Sequence, residues 1–201
     1  MCSRKMRGFS MIELLIVVAI ILIIVAFSYP MLQPALKAGR VSSAYNATLT
    51  TLRQARDISV AQRQIYFVTF NGGAPSTLTT TQASTGTVTS TVSLPTDVSF
   101  HAEPGIPTSP VVPPTTPDGF GVGAPAVDFD QGIAGGIKNV IYFYPDGSAR
   151  DALGNVNNGV VYVGRTGEIM SSRAITLWGG TGRLRGWHLY PTGAAYYWRQ
   201  Q

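Results

Sequence analysis

The sequence predicts an α+β protein: a long N-terminal helix, transmembrane and then amphipathic, packed on an antiparallel β-rich C-terminal domain. Three observations carry this prediction. An unbroken apolar run extends from Leu14 to Phe27. Apolar residues then recur at spacings of three and four. Beyond them, β-branched and aromatic runs alternate with turns rich in Gly, Pro, Asn and Asp.

The first element is long enough to cross a bilayer. Phe9 to Tyr29 is 21 residues, which as a helix spans ~31 Å at ~1.5 Å per residue. Arg4, Lys5 and Arg7 precede it, so the N-terminus is expected in the cytoplasm and the body across the membrane. No small-residue cleavage pattern lies near Tyr29, which argues against an ordinary secretory signal. Glu13 sits inside the apolar stretch. A carboxylate there costs roughly 2.5–3.5 kcal/mol on insertion scales and demands a partner. The single cysteine, Cys2, precedes the stretch. A disulfide, a CxxC zinc site and a cysteine nucleophile in the body are therefore excluded, and so is a lipoprotein signal.

The second element is a helix expected over 31–63. Ala38, Val41, Tyr45, Leu49, Leu52 and Ala55 line one face, with Pro34 and Gly39 as weak points. Strands follow. Ile65–Phe70 ends at Asn71-Gly72-Gly73, and the Thr/Ser-rich stretch from Ser76 to Ser99 offers one or two edge strands. Residues 103–126 are too rich in Pro and Gly for a helix or central strand and read as a surface loop. Further strands are expected at Asn139–Tyr144, Gly159–Val163 and Ala174–Trp178, before an aromatic tail to Gln201.

The N-terminal residues resemble the class III signal of type IV prepilins. Lys5-Met6-Arg7-Gly8 followed by Phe9-Ser10-Met11-Ile12-Glu13-Leu14-Leu15 reproduces that family's order of basic leader, Gly, Phe, Glu and aliphatics. The resemblance implies cleavage between Gly8 and Phe9 by prepilin peptidase and N-methylation of Phe9. It also implies filament assembly in which Glu13 neutralises the Phe9 ammonium of a neighbouring subunit. The second half resembles the GspH/FimT domain. The pieces are Leu52-x-x-Ala55-Arg56, Phe143 to Ser148, Val160 to Val163, Arg173 to Leu177, and Gly182-Arg183-Leu184-Arg185. The implied organisation is a cleaved leader over 1–8, a transmembrane helix over 9–30, an amphipathic helix over 31–63 and a GspH/FimT-like periplasmic domain over 64–201. Implied partners are the peptidase, other pilins or pseudopilins, and the inner-membrane assembly platform.

Charge and chemistry bound the function. Only His101 and His188 are present, and no Ser-His-Asp, HExxH or Walker pattern appears. Asp128-Phe129-Asp130 reads as the polar face of a strand in preference to a Ca²⁺ site. Neither an enzyme nor a cofactor is expected. From Lys138 onward seven basic residues face three acids, which hints at an anionic partner. Arg183, Arg185, Arg199 and Trp187 lie among further aromatics, a composition suited to nucleic acid through phosphate contacts and stacking. The resemblance to FimT-like minor pilins adds that a Gly-Arg-x-Arg element near the C-terminus, here Gly182 to Arg185, is associated with DNA capture during uptake. Two functions therefore stand side by side: a minor pilin or pseudopilin of a type IV pilus or type II secretion system near the tip, and a DNA-binding minor pilin in natural transformation.

Overall fold

The computed structural model describes residues 9–107, 109–121, 125–131, 139–193 and 195–201. One helix, α1 (Met11–Gln62), runs through both Pro34 and Gly39 without a break. Its end is set by Arg63, which adopts a left-handed conformation (φ 53°). The Gln64 N–H then bonds the Ser59 carbonyl at 3.3 Å, closing the helix in the manner of a Schellman cap. The chain divides into two units, Met1–Gly39 and Arg40–Gln201.

In the first unit the apolar side chains of Met11–Ser28 are unburied, and their mean hydropathy is 3.1. This is a single apolar helix of membrane-anchor or signal-sequence type. In the second unit, α1 buries Val41, Ala44, Tyr45, Leu52 and Ala55, most of the face expected from the spacing. Thr48 also lies on it, its hydroxyl satisfied by the Ala44 carbonyl at 2.9 Å. Ser59, equally buried, donates to the carbonyl of Phe143 at 3.0 Å.

Eleven strands of the second unit form two antiparallel sheets among the described residues. The first five-stranded sheet takes β1 (Tyr66–Asn71), β2 (Thr77–Gln82), β3 (Val88–Ser93), β6 (Val140–Phe143) and β7 (Ala149–Arg150) in the order β3-β2-β1-β6-β7. Of the two Thr/Ser-rich strands, only β3 is an edge; β2 is paired on both sides. The second sheet takes β4 (Ser99–Phe100), β8 (Asn158–Arg165), β9 (Glu168–Trp178), β10 (Arg183–Thr192) and β11 (Ala195–Gln200) in the order β11-β10-β9-β8-β4. β5 (Val127–Gln131) pairs with β8 beside β4. The aromatic tail is thus a hairpin, β10–β11, with Gly193 at positive φ in its turn.

Two apolar clusters follow from strand alternation. One lies between α1 and the sheets and includes Val68, Phe143, Phe129, Val161, Ile175 and Leu177. The other covers the opposite face of the second sheet and joins Val160, Tyr162, Ala174, Leu189 and Trp198 to Ile106 and Phe120. Ile106 and Phe120 come from the Pro/Gly-rich loop. That segment carries neither α-helix nor named strand over its described residues, as expected, but it is anchored as a strap across the sheet. Asp128 departs from expectation: it is buried at 1% exposure, with Phe129 turned into the first cluster. The alternation holds, yet both faces of β5 are covered.

Candidate functional site

The N-terminal segment is the simpler of two regions. Phe9 precedes the helix and is 76% exposed. Glu13 occupies the first turn of α1, and its N–H and that of Leu14 both reach the Ser10 carbonyl at 3.1 Å. A carboxylate in a first turn is favoured by the helix dipole. Gly8 lies outside the described residues. The Prokaryotic N-terminal methylation motif family matches residues 3–29. Neither a curated protein nor a solved structure matches the chain.

The chain thus carries a prepilin-type N-terminal methylation motif on a helix and β-rich fold typical of type IV pilin-like proteins. Such a motif implies processing and assembly with other pilins. A helix-borne methylation motif and a β-rich body are those of a pilin-like structural subunit. Among the described residues, no three His, Cys, Asp or Glu side chains are grouped to hold a metal.

The second region gathers motif pieces distant in sequence. Arg56, on the buried-face side of α1, donates from Nε to the Gly147 carbonyl at 3.1 Å and from Nη2 to the Thr181 carbonyl at 3.2 Å. Gly147 closes the turn after β6, and Thr181-Gly182 lies in the turn between β9 and β10. Leu-x-x-Ala-Arg, Pro-Asp-Gly-Ser and Gly-Arg-x-Arg therefore meet at one guanidinium. Gly182 has φ +60°, and a Cβ on it would fall onto the Gly147 carbonyl oxygen and within 2.6 Å of Arg56 Nε. Only glycine fits.

The four tail residues do not form one surface. Alternation along β10 puts Arg183, Arg185 and Trp187 on the face of the second cluster. Arg199 is paired with His188 across β10 and β11, on the opposite face. Arg183 is exposed. The Arg185 guanidinium is only 25% exposed and contacts the Asp118 carboxylate at 2.7 Å while lying 5.5 Å from the Trp178 ring centroid. Trp187 is half-buried, with its Nε1 donating to Thr176 Oγ1 at 3.0 Å. Asp118, which no motif marks, accepts from Thr176 at 2.6 Å and from Trp178 Nε1 at 3.0 Å besides Arg185. The signal for it was only an acid between Pro117 and Gly119, where a tight turn is favoured.

His188 belongs to a separate group. Its ring stacks edge-on against Tyr45 at 5.7 Å, and its Nδ1 lies 2.9 Å from the Gln201 amide nitrogen. Burial, and then the Arg173 charge, push its pKa down to about 4.

Proposed function

We propose that this chain is a GspH/FimT-type minor pilin or pseudopilin that acts by assembly. The observation that carries the reading is the methylation-motif match over 3–29 leading into a continuous helix with Glu13 in its first turn. Prepilin peptidase cuts between Gly8 and Phe9, and the new Phe9 amine is methylated. The apolar segment holds the subunit in the inner membrane, with its β-rich body in the periplasm, until the assembly platform passes it to a pilus or type II pseudopilus near the tip. Glu13 then pairs with the amine of a neighbouring subunit, which offsets the cost of a carboxylate in hydrocarbon.

Intact-mass measurement tests the first step. Protein from a host holding the peptidase should begin at N-methylated Phe9, and Gly8→Ala should leave the precursor uncut. A chain that retains Cys2, or one cut after Tyr29, would overturn the reading. DNA capture by the tail has less support. Asp118 already neutralises Arg185, and Arg199 faces away from Arg183.

A further inference from the structure

We infer that Arg173, flanked by His188 and Arg199, is a docking site for the carboxylate of an Asp or Glu side chain presented by a partner polypeptide. Strand register sets these three residues in one row: Arg173 on β9 pairs with His188 on β10, and His188 pairs with Arg199 on β11. The row lies on the face that α1 packs on, because Tyr45 of α1 meets the His188 ring edge-on at 5.7 Å. Tyr190 and Tyr197 form the next row on that face, with ring centroids 6.0 Å apart. Two cations thus share one face, about 10 Å apart at the backbone, with a histidine between them that is neutral at pH 7.

Burial without a counter-charge singles out Arg173. Among the described residues five arginines are half-buried: Arg56, Arg150, Arg165, Arg173 and Arg185. The other four each face a carboxylate at 3.9 Å or less. Arg173 faces none: its Nη1 donates to the Met170 and Ser172 carbonyls at 3.1 and 3.0 Å, and its Nε is enclosed without a hydrogen-bond partner. Burial pushes its pKa down, and the nearby Tyr190 and Tyr45 phenols act against this. An unpaired, partly desolvated charge carries a cost that an incoming anion offsets. The recess also selects the kind of anion. A carboxylate at the tip of a side chain can enter beside a half-buried guanidinium. A phosphodiester is linked on both sides and would bring its sugars against Tyr45 and Tyr190. Arg199, exposed on the edge strand β11, supplies a second, outer contact, so a segment with two acids gains both. The site lies within the second unit and does not depend on the helix-borne assembly proposed above.

Binding of a fluorescent peptide to the full chain in a neutral maltoside detergent, at low salt, tests it. The probe alternates Glu and Ser; its control carries Gln in place of Glu. The Glu peptide should bind saturably, and the Gln peptide at least ~10-fold more weakly. Arg173→Met keeps the bulk of the side chain and removes its charge. It should weaken binding at least ~10-fold while the melt without peptide stays or rises. Arg199→Gln should weaken binding by less, and Arg183→Gln, on the opposite face, should not weaken it. On titration the ring resonances of His188 should shift, while those of His101, which contacts Glu103, should stay. If Arg173→Met does not fold, Arg199→Gln and the His188 resonances decide. No binding of the Glu peptide, equal binding of the Gln peptide, or unchanged affinity in Arg173→Met overturns the site. Equal losses in Arg199→Gln and Arg183→Gln do so as well, since they would reveal general charge attraction. So does a single-stranded DNA oligonucleotide that outcompetes the peptide and needs Arg173, which would assign the row to nucleic acid.

Discussion

Asp118, in the Pro/Gly-rich strap, neutralises Arg185, 67 residues further along the chain in β10, through a contact of 2.7 Å. The carboxylate is only 6% exposed and also takes the Thr176 hydroxyl and the Trp178 indole N–H. Its backbone sits in the left-handed region (φ 53°), uncommon for a residue other than glycine. The strap is thereby tied to the sheet by one side chain with three donors. Asp118→Asn should cost about 2–3 kcal/mol, because it leaves a half-buried guanidinium without its counter-charge. Urea denaturation checks this. An unchanged midpoint would mean that water replaces the carboxylate. By the same argument Arg185→Gln lowers stability, so Arg183 is the cleaner position at which to probe nucleic-acid binding.

Gly182→Ala should be among the most damaging single changes in the second unit. The added methyl meets the Gly147 carbonyl and Arg56 Nε, and the residue would be held at φ +60°. Left-handed backbone alone costs an L-residue roughly 1–2 kcal/mol. Losing one or both Arg56 bonds adds about 1 kcal/mol each, for a total near ~3 kcal/mol. Gly180→Ala is the control, since nothing lies within 4 Å of its Cβ position. Equal melting temperatures for the two variants would show that the three turns do not depend on this contact.

Much of this architecture was legible in residue order, and what was not has a physical reason. Helical spacing marked Val41, Tyr45, Leu52 and Ala55 because a buried stripe must repeat with the helix period. It passed over Thr48 and Ser59, whose burial depends on acceptors at Ala44 and Phe143. Pro and Gly correctly excluded regular structure from the strap, but local pattern does not encode that Ile106 and Phe120 reach across to β8 and β9. The placement of Arg199 turned on the β10–β11 register. A shift of one residue would have moved it to the face of Arg183. The motif pieces around Arg56 could each be read, whereas their convergence required a long side chain spanning two turns.

His188 should make stability fall in mild acid. Its imidazole is pushed down to about 4 by burial and by Arg173, whereas in the unfolded chain it titrates near the ordinary 6.5. The fold therefore favours the neutral ring, and the unfolded chain binds the proton more readily between these values. By linkage, this contribution is complete above about pH 6.5 and is lost as pH falls towards 4. Arg173 and Arg199 flank the ring across the strands, Tyr45 packs on it from α1, and the Gln201 amide meets Nδ1. None of these groups stabilises an imidazolium. Denaturation midpoints for the wild type and His188→Gln should diverge most at neutral pH and converge as pH falls. Parallel curves from pH 7 to 4 would rule out this titration.

Glu13→Ala should separate insertion from assembly. Glu13 is the one charged side chain between Phe9 and Tyr29, so removing it eases transfer into hydrocarbon by up to ~3 kcal/mol. Membrane fractionation should accordingly show the variant inserted at least as well as the wild type. The same change takes away the proposed partner of a neighbour's Phe9 amine, and incorporation into sheared filaments should drop several-fold. Glu13→Gln distinguishes charge from shape. It retains the hydrogen-bonding outline but not the negative charge, so it should assemble as poorly as alanine if ion pairing is what counts. Normal co-purification of either variant with filaments would leave the carboxylate without an assembly role. Failure of both to insert would instead mean that Glu13 acts earlier, on the membrane or the peptidase.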